Sequence, residues 1–324
     1  MKAAIYSAWG SADVLRIADV AKPAPADNEV LIAVKIASVN PLDWRLMRGK
    51  PYLLRLMFGG PRRPNVRPGR DVAGIVEAVG RNVTRFKVGD AVFGLCKGAF
   101  AEYACAVESA LASKPEGVDF EQVGCAPIAA LTALQALRDH ARLARGRTVL
   151  INGAAGGVGT FAVQIAKALG AHVTGVCSGR NAEMVRSIGA DRVIDYMQED
   201  FTSSQRRYDV VLDCVANHGL SALRRVLNDH GVCVIAGAPK GISTLGLVAF
   251  LIRPAVFSSF ASRKFRTFLA KGNAADLSAI GDLVASAKVK PVIDRRYELS
   301  QVADAVGYLE QGHARGKVLI AVGA

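Results

Sequence analysis

The spacing of apolar and polar positions along the chain changes twice. Up to about residue 120 the apolar positions fall in short β-prone runs: Ala3–Tyr6, Leu15–Asp19, Glu29–Val39, Val72–Val79, Ala91–Gly94 and Ala101–Ala106. Prolines at 23, 25, 61, 64 and 68, with Asn40-Pro41 and Gly89-Asp90, punctuate these runs as turns. They predict a compact, partly open barrel with one longer excursion over Asp43–Arg67. After Lys114-Pro115 the rhythm lengthens. Phe120–His140 reads as helical with a break near Pro127. From Thr148 strands alternate with helices: TVLI, AHVTGVC, DRVIDY, YDVVLDCV and GVCVIAG, with helices over 160–169, 180–188 and 219–228. That alternation predicts an α/β region built on a doubly wound parallel sheet. The tail changes again. An apolar, basic stretch over 245–271 precedes a helix over 274–287, a strand at Val292–Tyr297, a helix at Ser300–Gln311 and a last strand at Lys317–Val322.

One stretch within the alternating region carries chemistry. Thr148–Asn152 is a short apolar strand, Gly153–Gly159 a turn of small residues, and Thr160–Leu169 a helix with Phe161, Ile165 and Leu169 on one face. A second strand, His172–Cys177, follows. Strand, glycine turn and helix form the first half of a dinucleotide-binding unit. Small residues matter there because a pyrophosphate must approach bare N–H groups at a helix start, where the helix dipole also favours an anion. Gly156 and Gly159 stand at the second and third positions of the G-x-G-x-x-G fingerprint, and Ala154 at the first.

Length and charge change the picture in two ways. The 324 residues suggest about two domains. The formal net charge is +13. Between Asp43 and Asp71 lie eight basic residues (Arg45, Arg48, Lys50, Arg55, Arg62, Arg63, Arg67 and Arg70) and no acid. Lys240–Lys271 is likewise free of acids and contains Arg253, Arg263, Lys264 and Arg266. Such patches draw an anionic cofactor or substrate, or a nucleic acid. No nucleic-acid motif accompanies them, so the former is favoured. Six cysteines stand singly, without a C-x-x-C pair, which argues against a disulfide framework or zinc ribbon. No basic, apolar leader opens the chain, and no apolar run is long enough to cross a membrane, so the expected location is the cytoplasm.

Several stretches, in this order, resemble the medium-chain dehydrogenase/reductase superfamily and its zinc-free quinone oxidoreductase branch. They are Ser38-Val39-Asn40-Pro41-Leu42-Asp43-Trp44, Pro68–Val76, Val88–Gly94, Gly98–Tyr103 and the glycine turn through Lys167. The tail adds only Gly316–Ile320. The resemblance implies a GroES-like β-rich catalytic domain over 1–120 and 254–324, and a Rossmann domain over 121–253 that binds the cofactor. It implies no zinc. Zinc-dependent relatives carry Cys at the place of Asn40 and Gly-His-Glu at Gly69-Arg70-Asp71, and neither an Asn amide nor an Arg replaces such ligands.

The implied reaction is hydride transfer from a reduced nicotinamide to a quinone or an α,β-unsaturated carbonyl, which needs placement and polarisation more than a Lewis acid. By resemblance Asn40 lies near the nicotinamide ribose and the acceptor, as a hydrogen-bond donor, and Thr132 near the carboxamide. Asn40-Pro41 also reads as a plain turn. Asp43 would orient neighbours, and Tyr52 is a candidate proton donor that reads equally as a surface residue. About twenty residues past the glycines, where NAD sites place an acid, the chain reads Val176-Cys177-Ser178-Gly179-Arg180-Asn181. With no acid there, Ser178 and Arg180 suit a 2′-phosphate and hence NADPH, and the resemblance implies that Tyr196, at the end of the next strand, joins them. Ala155, Gly156, Gly157, Val158, Val215, Gly237 and Lys317 complete the cofactor residues that the resemblance implies. It also implies a homodimer. Two other functions stay open at this point: an enoyl thioester reductase, and an NADPH-binding protein whose basic face holds RNA or a partner.

Overall fold

The computed structural model describes every residue except 51, 53–54, 56–65, 238, 240–242, 244–245, 247–249, 251, 255–261 and 324. Much of the expected excursion over Asp43–Arg67, with Arg62 and Arg63, therefore lies outside the described residues, as does part of 245–271. Among the described residues the strands are β1 (Lys2–Ile5), β2 (Arg16–Asp19), β3 (Glu29–Val39), β4 (Asp71–Val79), β5 (Ala91–Leu95), β6 (Tyr103–Val107), β7 (Leu111–Ser113), β8 (Thr148–Asn152), β9 (His172–Cys177), β10 (Arg192–Asp195), β11 (Tyr208–Asp213), β12 (Leu227–Ile235), β13 (Lys264–Thr267), β14 (Ile293–Glu298) and β15 (Lys317–Ala321). The α-helices are α1 (Pro41–Arg48), α2 (Phe120–Gly124), α3 (Pro127–Gln135), α4 (Gly157–Ala168), α5 (Ala182–Ser187), α6 (Leu220–Arg225), α7 (Ala274–Ala285) and α8 (Val302–Gln311).

The chain divides into two units. The first comprises Met1–Leu131, Lys271–Ala287 and Pro291–Ala324; the second comprises Thr132–Ala270 and Lys288–Lys290. The sequence expectation set the return to the first domain at 254. Lys264–Thr267 instead pairs in parallel with β12, so the return follows residue 270.

In the second unit six parallel strands take the order β10-β9-β8-β11-β12-β13. That is the doubly wound order 3-2-1-4-5-6, whose strand order reverses between β8 and β11. Strands buried on both faces need continuous apolar runs. Val149, Leu150, Ile151, Val211 and Leu212 supply them and are wholly buried.

The first unit is built around β3, whose two halves serve different neighbours. Glu29–Ala33 pairs with β6, while Ile36–Val39 pairs with β15. Its other edge pairs with β4 throughout, with register shifts between Leu31 and Ile32 and between Val34 and Ile36. The resulting sheet runs β14-β15-β3-β4-β5-β7 with β6 attached to β3. Val30, Ile32, Val72, Phe100 and Ile320 fill its core. This is the expected β-rich barrel-like domain. Helix α1 is an addition to the sequence reading, which left Asp43 onward as an irregular excursion. Asn40 caps it and Pro41 opens it, an ordinary helix start.

Candidate functional site

The nucleotide-binding half lies in the second unit, where β8 runs into α4. Gly153 turns the chain with φ +83°. The side chain of Val215, from the end of β11, fills the space beside it: a Cβ on Gly153 would lie 2.8 Å from Val215 Cγ2. Ala154 at the first fingerprint position is fully buried, so the left-handed turn falls one residue earlier than the fingerprint suggests. Gly159 packs the helix onto the strand, since a Cβ there would stand 2.1 Å from the Gly153 carbonyl oxygen. Gly156 is different. Its nearest neighbour would be 3.4 Å away, leaving the turn open on that side. Gly156, Gly157 and Val158 are part-exposed while Ala155 is buried. The N–H groups of the first turn of α4 have no acceptor within the helix, and no acidic residue occupies that turn. An anion is the group such an end accepts best.

The ends of β9 and β10 bring three expected residues together. Asp195 is level with Cys177, and the Tyr196 N–H donates to the Cys177 carbonyl at 3.1 Å. Tyr196 therefore stands beside Ser178, with its side chain exposed. Ser178 begins a short turn, Gly179–Asn181, and its Oγ accepts from Asn181 Nδ2 at 3.1 Å. Arg180 projects from that turn, exposed. One feature was missed in the sequence. Asp195 packs against the turn, its Oδ2 lying 2.5 Å from where a Cβ of Gly179 would be. A carboxylate thus comes close from the next strand, although the segment 178–181 has none.

At the ends of β11 and β12, Asp213 organises the loop that carries Val215. Its Oδ1 accepts from Asn152 Nδ2 at 2.9 Å and from the N–H groups of Val215 and Ala216 at 3.0 and 2.9 Å. The Gly237 N–H donates to the Asp213 carbonyl at 3.1 Å. Val215 and Gly237 are so placed at the same edge of the sheet as the glycine turn. Thr132 lies on α3, partly buried.

The first unit holds a buried polar cluster. Ser38 and Asp71 face each other across β3 and β4. Asp71 Oδ2 accepts from Ser38 Oγ at 2.6 Å, Asn40 Nδ2 at 2.9 Å and Lys317 Nζ at 3.2 Å; its Oδ1 accepts from the Ile128 N–H at 2.9 Å. Lys317 Nζ also donates to Asn40 Oδ1 at 2.6 Å. Lys317 opens β15 next to the end of β3, which brings it to Asn40 across 277 positions of sequence. Asn40 is 2% exposed, Asp71 0% and Lys317 3%. The second Asn40 Nδ2 bond goes to the Ser38 carbonyl at 3.2 Å. Both hydrogens of the Asn40 amide are therefore spent within the unit. Asn40 as it stands is a brace, not the free donor expected from the sequence, and Lys317 is a buried member of this cluster.

Asp43 adds a second carboxylate. Its Oδ2 accepts from the Asn40 N–H at 2.8 Å, tying the start of α1. Burial pushes its carboxyl up to about 7; the Asn40 bond opposes that, nearby Asp71 adds to it, and Lys317 and Arg70 pull down. Burial raises the thiols of Cys96 and Cys125 also, Cys125 to about 12, so neither is a thiolate nucleophile at neutral pH. Tyr52 is 61% exposed with the Arg55 guanidinium over its ring, and no described contact links it to Asn40 or Asp43.

A six-stranded doubly wound sheet with an open glycine turn, and a β-rich unit that closes on its own C-terminal strand, define a two-unit nicotinamide-dependent oxidoreductase. Residues 26–116 match the alcohol dehydrogenase GroES-like domain, and residues 188–320 match the zinc-binding dehydrogenase family. The chain is 34% identical to the chloroplast envelope quinone oxidoreductase homolog of Arabidopsis thaliana, over 99% of its own length and 98% of that protein. It is also 34% identical to the NADPH-dependent alkenal/one oxidoreductase of the same plant, over 99% of itself and 79% of that protein. The quinone oxidoreductase of Coxiella burnetii superposes with a TM-score of 0.86 at 32% identity, covering 100% of this chain and 99% of the other. The chain belongs to the medium-chain dehydrogenase/reductase superfamily, in its zinc-free quinone oxidoreductase branch.

The residues do not fit the zinc ion that much of this superfamily carries. Zinc takes thiolate, imidazole or carboxylate ligands. Here Asn40 holds an ammonium instead, Asp71 is filled by four hydrogen-bond donors, and Arg70 is itself a cation. Among the described residues no group of three His, Cys, Asp or Glu side chains is placed to hold a metal.

Proposed function

We propose that this chain is a metal-independent reductase that uses NADPH to reduce quinones or α,β-unsaturated carbonyls. The observation that carries the reading is the open turn at the head of α4, where the Gly157 and Val158 N–H groups start the helix, at the same end of the sheet as Ser178, Arg180 and Tyr196. Bare N–H groups suit a pyrophosphate, and a guanidinium with two hydroxyls suits a 2′-phosphate. Thr132, Val215 and Gly237 are taken to border the nicotinamide end. NADPH, when bound, supplies the hydride. The names of relatives, one of them NADPH-dependent, agree with this choice of donor and acceptor.

The chain's own residues polarise and position. Lys317 has three N–H bonds and uses two, on Asn40 and Asp71. In this reading the Lys317 ammonium is the charge that polarises the acceptor oxygen, in the place of a metal. Asn40 acts by holding that ammonium, and Asp43 by holding Asn40. Tyr52 is left without a part in catalysis. The six cysteines are unpaired, as suits a reducing compartment such as the cytoplasm, and no described helix is long and apolar enough to cross a membrane. A homodimer follows from the resemblance alone, and sedimentation measures it directly.

The test is NADPH oxidation across quinones, enones and enoyl-CoA esters, in the presence of a metal chelator. Turnover of quinones or enones is the expected result. Turnover of enoyl-CoA esters alone would identify a thioester reductase, and no oxidation with any acceptor would end the reading.

A further inference from the structure

The second unit carries a basic depression at the end of its sheet away from the glycine turn. The turn follows the C-terminal end of β8. The depression sits where strands begin: Arg207 immediately precedes β11, Arg263 precedes β13, and Arg224 and Arg225 end α6. In a parallel sheet all strand starts share one edge, so the depression and the cofactor turn lie at opposite edges. Its volume is about 810 Å³, within the range of small-molecule pockets. Among the described residues Ser204 and Ser221 line it beside the four arginines, and no carboxylate does.

Four guanidiniums around one depression concentrate positive charge there. Arg263 is largely buried, with a side chain 14% exposed, and it is fixed in place. Its Nε donates to the carbonyls of Leu227 and Asn228 at 3.0 and 3.2 Å, and its Nη2 to Asp229 at 2.7 Å. It forms a rigid wall with N–H groups to spare. Arg207 and Arg225, by contrast, make no ion pair among the described residues. Beside Arg207, Tyr208 is 2% exposed and its hydroxyl has no hydrogen-bond partner. It packs with Phe201, Leu223, Leu227 and Phe265, neighbours in sequence of the residues that line or hold this wall. Planar guanidiniums bind phosphate oxygens two at a time, which a lysine cannot do.

We infer that this depression is a second anion site, separate from the cofactor cradle, for a small molecule bearing two or more phosphates. Free pyrophosphate and a nucleoside diphosphate share that chemistry. The experiment is calorimetric titration of the full chain, already saturated with NADPH, at about 0.1 M salt so that exposed charges are screened beyond roughly 10 Å. One arm uses inorganic pyrophosphate and the other ADP. Saturable binding near one equivalent is expected. Tighter binding of ADP would make the natural ligand a nucleotide, and equal binding a free polyphosphate.

The variant Arg207→Glu with Arg225→Glu should weaken that binding by about 10-fold or more while NADPH affinity holds. A matched control, Arg16→Glu with Lys35→Glu, makes the same charge change on exposed positions of the first unit and should leave binding within about 2-fold. Absence of saturable binding overturns the inference. So does an equal loss in the control, which would mean attraction to the overall positive charge. Because binding is read directly, failure here leaves the reductase reading untouched, and loss of NADPH affinity alone would leave this one.

Discussion

The glycine turn of the second unit and the Lys317 cluster of the first handle charge by opposite means. The turn works through what it lacks. At Gly156 no side chain covers the backbone, and the partial charges of a helix end are presented to whatever binds. The cluster works through full charges that are almost wholly buried. Lys317 and Asp71 are 3% and 0% exposed, joined at 3.2 Å and cross-braced by Asn40 and Ser38. The first device costs little to fold, because its donors stay open to solvent. The second costs much, since a buried ion pair recovers its desolvation only when every lone pair and proton is matched. Here Asp71 accepts four donors and comes close to that condition. The contrast teaches that this protein places its rigid, expensive electrostatics in the β-rich unit and its cheap, open electrostatics in the parallel-sheet unit.

The largest break in that comparison comes from removing one half of the buried pair. Lys317→Met keeps the stem length and leaves the Asp71 carboxylate without its cation. A loss of about 3–5 kcal/mol is expected in urea unfolding. Adding Asp71→Asn, which removes the stranded charge, should return part of it. If Lys317→Met costs less than about 1 kcal/mol, the pair is open to water and the distinction between the two units fails.

How much of this the sequence disclosed follows the same division. The turn was readable because its parts are adjacent: strand, small residues, helix, second strand. Ser178 and Arg180 could be proposed from their distance past the glycines, and Tyr196 from the resemblance; the structure puts Tyr196 beside Ser178 because parallel strands end at one edge. The cluster was not readable, because Ser38, Asn40, Asp71 and Lys317 meet only through the register of β3 with β4 and β15. The visible sign was a polar residue heading each of two apolar runs, Asp71 before Val72-Ala73-Gly74-Ile75-Val76 and Lys317 before Val318-Leu319-Ile320. Asp195 escaped for the same reason. It is one strand away from the turn it touches, and a distance of about twenty residues counted along the chain does not see it. Strand β13 was hidden by a basic, alternating composition that lacks the continuous apolar run of its neighbours.

A pH series sharpens the comparison next. The Asp43 carboxyl rises to about 7 in the folded chain from an ordinary value of 3.8, mainly through burial. The unfolded chain therefore loses this proton first. The stability that protonated Asp43 contributes is complete below the unfolded value and is lost as pH rises through the folded one. Asp43→Asn keeps an oxygen for the Asn40 N–H and removes the titration. Wild type should lose stability between about pH 4 and 7 relative to this variant, by at most about 1.4 kcal/mol per pH unit. Identical pH slopes would mean that the carboxylate is ionised throughout, in water and not in a sealed cluster.

Two glycines then separate the roles within the turn. Gly159→Ala drives a methyl against the Gly153 carbonyl oxygen and the Ala154 Cα, at 2.1 and 2.7 Å, so about 1–3 kcal/mol of stability should go. Gly156→Ala meets only the Gly153 oxygen at 3.4 Å and should leave unfolding nearly unchanged while weakening NADPH binding. Thermal melts and calorimetry on both variants measure the split. Equal effects on stability and binding in the two variants would mean the turn has no open side.

The smallest effects decide which nicotinamide the open device prefers. Arg180 is exposed, and Asp195 Oδ2 comes from β10 to the Gly179 turn, so the two set opposing charges near one spot. For a 2′-phosphate the guanidinium is attractive and the carboxylate repulsive; for a bare 2′-hydroxyl the carboxylate is the useful acceptor. Arg180→Ala should therefore raise KM for NADPH by about 10-fold and leave that for NADH within about 2-fold. Asp195→Asn should lower KM for NADPH by about 2–5-fold and raise it for NADH, since an amide neither repels phosphate nor accepts as strongly from a ribose hydroxyl. Steady-state kinetics with both cofactors, at fixed acceptor, give all four values. If Arg180→Ala changes both cofactors alike, the arginine serves the pyrophosphate or the fold, and the preference for NADPH has no residue to rest on.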